Sequence, residues 1–160
     1  MKKTLILALI VATAFACGPS KTVTESRKVI KGYWSLNNIS YDTTGKFDVN
    51  LLNDASAECF QESTWRFIPN NNTGNYNIEN LNCQTGQRDF IFTISEIDSS
   101  TGLYDFLLKP TNAKGKSDSN AGFRLRLAEL NESSMRWEQT VNLDGKPFKI
   151  NMNFSKINEQ

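Results

Sequence analysis

The 160-residue chain contains no histidine. That absence removes the one side chain whose ordinary charge change falls near neutral pH. It excludes Ser-His-Asp and Cys-His nucleophile activation and any metal site built on imidazole. Charge of one sign is also lacking: 18 basic against 17 acidic side chains leave no basic stripe, so nucleic acid is not an expected partner. Cysteine occurs only three times and never in C-x-x-C spacing, which argues against a dithiol redox centre. Long apolar runs are missing too. The one unbroken apolar stretch, Leu5–Ala12, is well short of the ~20 residues that a spanning helix needs.

What is present begins with that stretch. Lys2 and Lys3 precede it and Ala14-Phe15-Ala16 closes it. A charged start, a short apolar segment and small residues at its end describe a secretory signal over residues 1–16. Cys17 follows at once. Ala14-Phe15-Ala16-Cys17 resembles the lipobox of bacterial lipoproteins, in which the cysteine thiol receives a diacylglyceryl group. The resemblance implies a cell-envelope protein held by a lipid anchor at the outer membrane. The rival reading is ordinary A-x-A cleavage, which leaves a free thiol. If Cys17 is acylated, Cys59 and Cys83 remain as an even pair in an oxidising compartment. A bridge between them would stabilise the fold by ~3.5 kcal/mol from chain entropy; the alternative is two buried thiols.

Residues 18–29, GPSKTVTESRKV, are polar and without periodicity, and with Cys17 they read as a lipidated flexible tether over 17–29. The domain is expected over 30–160. Its first run is Ile30–Ser35. Phe47, Leu51, Ala55 and Cys59 then recur every four residues, predicting a short helix near 47–57. Ser63–Ile68 and Tyr76–Glu79 alternate around the Asn/Gly turn at 70–75 and read as a hairpin. Four further faces follow: Phe90, Phe92 and Ile94; Tyr104, Phe106 and Leu108; Phe123, Leu125 and Leu127; Met135, Trp137 and Val141. After Asp144-Gly145, Phe148, Ile150, Met152 and Phe154 alternate with polar residues.

Two-residue alternation marks strands with one wet face. Eight of them joined by short turns predict an all-β fold, an eight-stranded antiparallel up-and-down barrel with one short helix between the first two strands. A sandwich is the alternative.

Several motifs resemble the bacterial lipocalin-like lipoproteins over roughly residues 30–157. They are Gly32-Tyr33-Trp34 at the first strand, the helix leading to Cys59, Ser63-Thr64-Trp65-Arg66-Phe67, the Asn/Gly turn, Cys83 and the Asp144-Gly145-Lys146-Pro147 hairpin. The resemblance implies that Trp34 stacks across a closed barrel end, although the last strand carries no arginine to cover it. It also implies an interior cavity.

Trp34, Trp65, Phe67, Phe92, Phe106, Leu125 and Trp137 are the candidate lining of that cavity, with Gln139 as the polar group that orients a ligand. A barrel of this size is either filled by side chains or holds one small ligand. No spacing pairs carboxylates for acid–base work, and no metal or cofactor site is read. Arg124, Arg126 and Arg136 read as a solvated outer face or a small basic patch. The expected function is therefore non-enzymatic: a lipid-anchored envelope module taking a small hydrophobic or amphipathic ligand into its barrel. The alternative is an interaction or structural protein with a filled barrel that acts through its loops. Labelled palmitate is expected to enter the wild-type chain and not Cys17→Ser. Absence of label from both would make the protein a soluble exported one.

Overall fold

The alternating segments become strands because each buries one parity of side chains and leaves the other wet. The computed structural model describes residues 21–98, 103–119 and 121–158. Cys17, the export segment and the turn at 99–102 lie outside them. In chain order the elements are α1 (Lys21–Ile30), β1 (Gly32–Tyr41), β2 (Asn50–Leu51), β3 (Ala55–Ser56) and α2 (Ala57–Phe60). Then come β4 (Thr64–Ile68), β5 (Thr73–Ile78), β6 (Gly86–Asp98), β7 (Leu103–Thr111), β8 (Phe123–Leu130), β9 (Ser134–Leu143) and β10 (Lys146–Ile157).

The eight longer strands form a closed antiparallel barrel in the order β1-β10-β9-β8-β7-β6-β5-β4. This is the up-and-down barrel expected from the alternation. β1 closes it, pairing with β10 from Tyr33↔Ile157 to Tyr41↔Ile150 and with β4 from Gly32↔Phe67 to Ser35↔Thr64. A bulge at Asn37 shifts the β1 register by one residue, so Ile39 and Tyr41 stay on the same face as Trp34 and Leu36. A two-residue turn joins β9 to β10, with Asp144 at φ 51° and Gly145 at φ 78°. Positive φ at both positions matches the right-handed twist of the flanking strands. At Gly74 on β5 the constraint is space: a Cβ there would collide with the Phe90 ring and the Arg66 carbonyl.

Two segments differ from the sequence reading. Residues 21–30 of the expected tether and domain start form helix α1, which buries Val23, Ser26 and Ile30 against one barrel end. These three fall at i, i+3 and i+7 on one face, opposite the exposed Glu25 and Lys28, so the segment is amphipathic, and docking of that face on the barrel supplies what a ten-residue helix lacks alone. Its last carbonyls, which have no partner within a helix, are satisfied from the barrel. The Trp34 indole N–H donates to the Ile30 carbonyl at 2.8 Å, and Lys156 Nζ donates to the Val29 carbonyl at 2.6 Å. Lys156 also lies 5.2 Å from the Trp34 ring centroid, so a lysine of the last strand covers this tryptophan.

The helix expected over 47–57 is the second correction. β2 and β3 form a tight antiparallel pair there, with Leu52 and Asn53 both at φ 54°, and only residues 57–60 are helical. Asn50, Asn53 and Asp54 favour turns over helix interior. The apolar residues between them anchor a lid: Leu51, Leu52, Ala57 and Phe60 are buried over the barrel end opposite α1. Cys59 and Cys83 are joined, with Cα atoms 5.8 Å apart, tying α2 to the segment between β5 and β6. Replacing both cysteines by serine is expected to cost up to ~3.5 kcal/mol in a urea titration. Amide exchange should rise first in residues 57–62. An unchanged midpoint would show that the bridge contributes nothing to stability.

Candidate functional site

The candidate lining residues meet inside the barrel, and they meet one another. Trp34, Trp65, Phe67, Phe92, Phe106, Leu125 and Trp137 are all buried, whereas Gln139 is only half-buried. Trp137 stacks on Phe106 with centroids 4.7 Å apart and stands nearly perpendicular to Trp65 at 5.4 Å. Phe106 in turn stacks on Phe92 at 5.1 Å. Phe60, Tyr76, Phe90 and Phe154 complete this aromatic column: Trp65 stacks on Tyr76 at 4.6 Å, and Phe154 lies 4.7 Å from Trp137. The last three share the apolar parity of their strands and so were open to sequence reasoning. Phe60 belongs to the lid, where no periodicity marks it.

Polar groups inside the column are accounted for, with one exception. The Trp65 indole N–H donates to Ser63 Oγ at 2.8 Å, and that hydroxyl donates to the Phe60 carbonyl at 2.5 Å, capping α2. The Trp137 indole nitrogen is buried and has no hydrogen-bond partner among the described residues. Aromatic rings surround it.

The lid is latched by Asp54. Its Oδ2 accepts the Tyr76 hydroxyl at 2.8 Å and Arg88 Nε at 3.0 Å. The other Arg88 nitrogens donate to the carbonyls of Gly86 and Gln84, both at 2.6 Å, so the guanidinium is held from three sides. Burial, followed by the Asp54 hydrogen bond and charge, drives the Tyr76 hydroxyl well above its ordinary pKa and keeps it a proton donor.

Beside the lid a recess of about 640 Å³ opens to solvent. It runs along the second half of β1, where β4 has ended at Ser35 and only β10 remains as a strand partner. Ile39 and Tyr41 from β1, Phe47 and Val49 from the crossing loop, and Ala57 from α2 form its apolar wall; Lys46, Asp48, Ser56, Glu58 and Gln61 complete the lining. Tyr41 meets Phe47 edge-on at 5.3 Å and is backed by Phe148, also at 5.3 Å. Burial, and then the Glu58 carboxylate, raise the Tyr41 hydroxyl pKa. Tyr41 does not stand out in the sequence, and Phe47 does so only as part of the helix face expected over 47–57.

The outer wall carries a second groove, of about 590 Å³, with Ile91 and Leu107 partly exposed on it. Arg124 on this groove pairs with Asp105 at 3.3 Å, and elsewhere on the outer face Glu138 lies between Arg136 at 3.7 Å and Lys149 at 3.3 Å. Arg126 stands in register between Asp105 and Glu138, so the three arginines belong to a mixed-charge outer face. No protein-family model matches this chain, and neither does any curated protein.

Asp54→Ala removes the acceptor shared by Tyr76 and Arg88 and is expected to cost about 1.5–3 kcal/mol, the range for hydrogen bonds to a charged group. Hydrogen exchange should quicken over 50–57 and leave β8–β10 unchanged. A uniform change across the barrel would show that Asp54 is not a local latch.

Proposed function

We propose that this is a lipid-anchored, non-catalytic protein of the cell envelope whose barrel is a filled, rigid stem and whose lidded end makes the functional contacts. The observation that carries this reading is the aromatic column. The seven apolar lining candidates are buried, and the rings among them at the barrel centre lie within contact distance of one another, in the space where a carrier of this architecture would seat its ligand. The anchor and compartment rest on the lipobox-like Ala14-Phe15-Ala16-Cys17 and on the resemblance to bacterial lipocalin-like lipoproteins. A disulfide is at home in such a compartment.

A second reading, uptake of a small hydrophobic or amphipathic molecule into the barrel, has one specific observation in its favour. A buried indole N–H without an acceptor, as at Trp137, is the kind of polar point that orients a ligand in an apolar site. It is also costly to leave unpaired, by about 1–3 kcal/mol.

One substitution separates the two. With a filled stem, Trp137→Ala is expected to lose about 3–5 kcal/mol, as for emptying a packed aromatic site. An apolar fluorescent probe should then show no saturable binding that a fatty acid displaces. Saturable, displaceable binding to the wild type, weakened by Trp137→Ala at smaller cost in stability, would overturn the filled-stem reading in favour of the carrier.

A further inference from the structure

The recess beside the lid combines two features that belong to one kind of chemistry. Tyr41 and Phe47 stand at 71° to each other and form an aromatic corner, its back closed by Phe148. Glu58 and Asp48 lie on the rim, and neither has an ion pair with a described residue. Lys46, also exposed there, leaves the rim with a net single negative charge. Aromatic faces attract cations through their quadrupole, and the attraction grows as the site is desolvated. Free carboxylates beside such faces add countercharge and select against anions. The size is suitable as well: about 640 Å³ falls within the ~300–1,000 Å³ typical of small-molecule sites.

We propose that this recess binds a small ligand carrying an alkylated or quaternary ammonium group, seated on the faces of Tyr41 and Phe47 with Glu58 and Asp48 as countercharge. The proposal rests on the reading that the protein acts from its lidded end, and it names the class of molecule bound there. The apolar remainder of such a ligand would lie against Ile39 and Val49, where the edge of β1 that β4 does not pair leaves room.

Amide NMR titrations of the mature chain with choline chloride and with its uncharged tert-butyl isostere test this, with sodium chloride as the salt control. Choline is expected to give saturable shifts confined to residues 39–49 and 56–61, with the isostere at least about fivefold weaker. Glu58→Gln and Phe47→Leu should each weaken choline severalfold, and Glu58→Gln should leave the isostere unaffected. The exposed position of Glu58 makes that variant a safe test of charge without loss of fold. Equal affinity for both compounds would overturn the cation assignment while leaving the recess as an apolar site. Absence of saturable shifts with either would overturn the recess as a binding site. Shifts centred on the Trp137 indole N–H and the Phe106 backbone amide would instead place binding in the barrel centre and overturn the filled-stem reading itself.

Discussion

Trp65 lies at the junction of nearly everything that holds this barrel together. It stacks on Tyr76, meets Trp137 and Phe154 edge-on, and packs against Phe60, Phe67 and Phe90. An eight-stranded barrel encloses a bore of fixed width, and packing at the density of protein interiors leaves little tolerance for gaps. Large flat rings meet that demand economically, because offset and edge-on contacts let neighbours interlock while each ring buries considerable apolar surface. Strand register then follows. A slip of one residue would turn the apolar parity of a strand outward, so the column and the hydrogen-bonded wall fix each other.

Both ends of the bore depend on this column, and both are closed by chain that could not hold its shape alone. α1 has ten residues and α2 four, and β2 and β3 have two each. Such pieces are below the length at which helices or hairpins persist in water. Each is held by burying a few apolar residues on the column and by passing its unsatisfied backbone groups to side chains rooted in the barrel. Trp34 and Lys156 take the last carbonyls of α1, and Ser63, itself held by Trp65, takes that of Phe60. Trp34 thus fills volume with one end and satisfies the backbone with the other, and Trp65 does so through the Ser63 hydroxyl.

This division explains what could be read from the sequence. Alternation in β6–β10 was plain because long strands with one wet face repeat the same two-residue pattern, and the Asp144-Gly145 turn announced itself through its need for positive φ. The candidates Trp65, Phe67, Phe92, Phe106 and Trp137 could be grouped for the same reason. The end segments escaped because their order comes from docking. Phe47, Leu51, Ala55 and Cys59 mimic a helix face, since a lid folded over a barrel end also needs apolar anchors at intervals. α1 is amphipathic, but with Ser26 in the middle of its buried face and few apolar residues in all, it reads as a polar tether. The aromatic corner was invisible for a further reason: Tyr41 and Phe47 are joined by a loop, and only the splaying of β1 from β4 brings a pocket to them.

That splaying leaves one edge of β1 without a strand partner at the lidded end. An unpaired strand edge invites unwanted pairing, and here the second half of β1 is flanked by the crossing loop and α2 in place of a strand. The backbone hydrogen bonds are few: Leu36 and Ser63 join the flank at 3.0 Å, Glu62 and Leu36 at 2.7 Å, and Ala57 and Val49 at 2.7 Å. A flank so lightly bonded needs anchors of another kind, among them Phe60 buried in the column and Cys59 bridged to Cys83. Ser56, Ala57 and Glu58, which line the recess, directly precede Cys59. The bridge therefore holds this part of the recess lining to the segment between β5 and β6. The packed column supports the barrel around the opening, while the disulfide anchors one of the opening's walls.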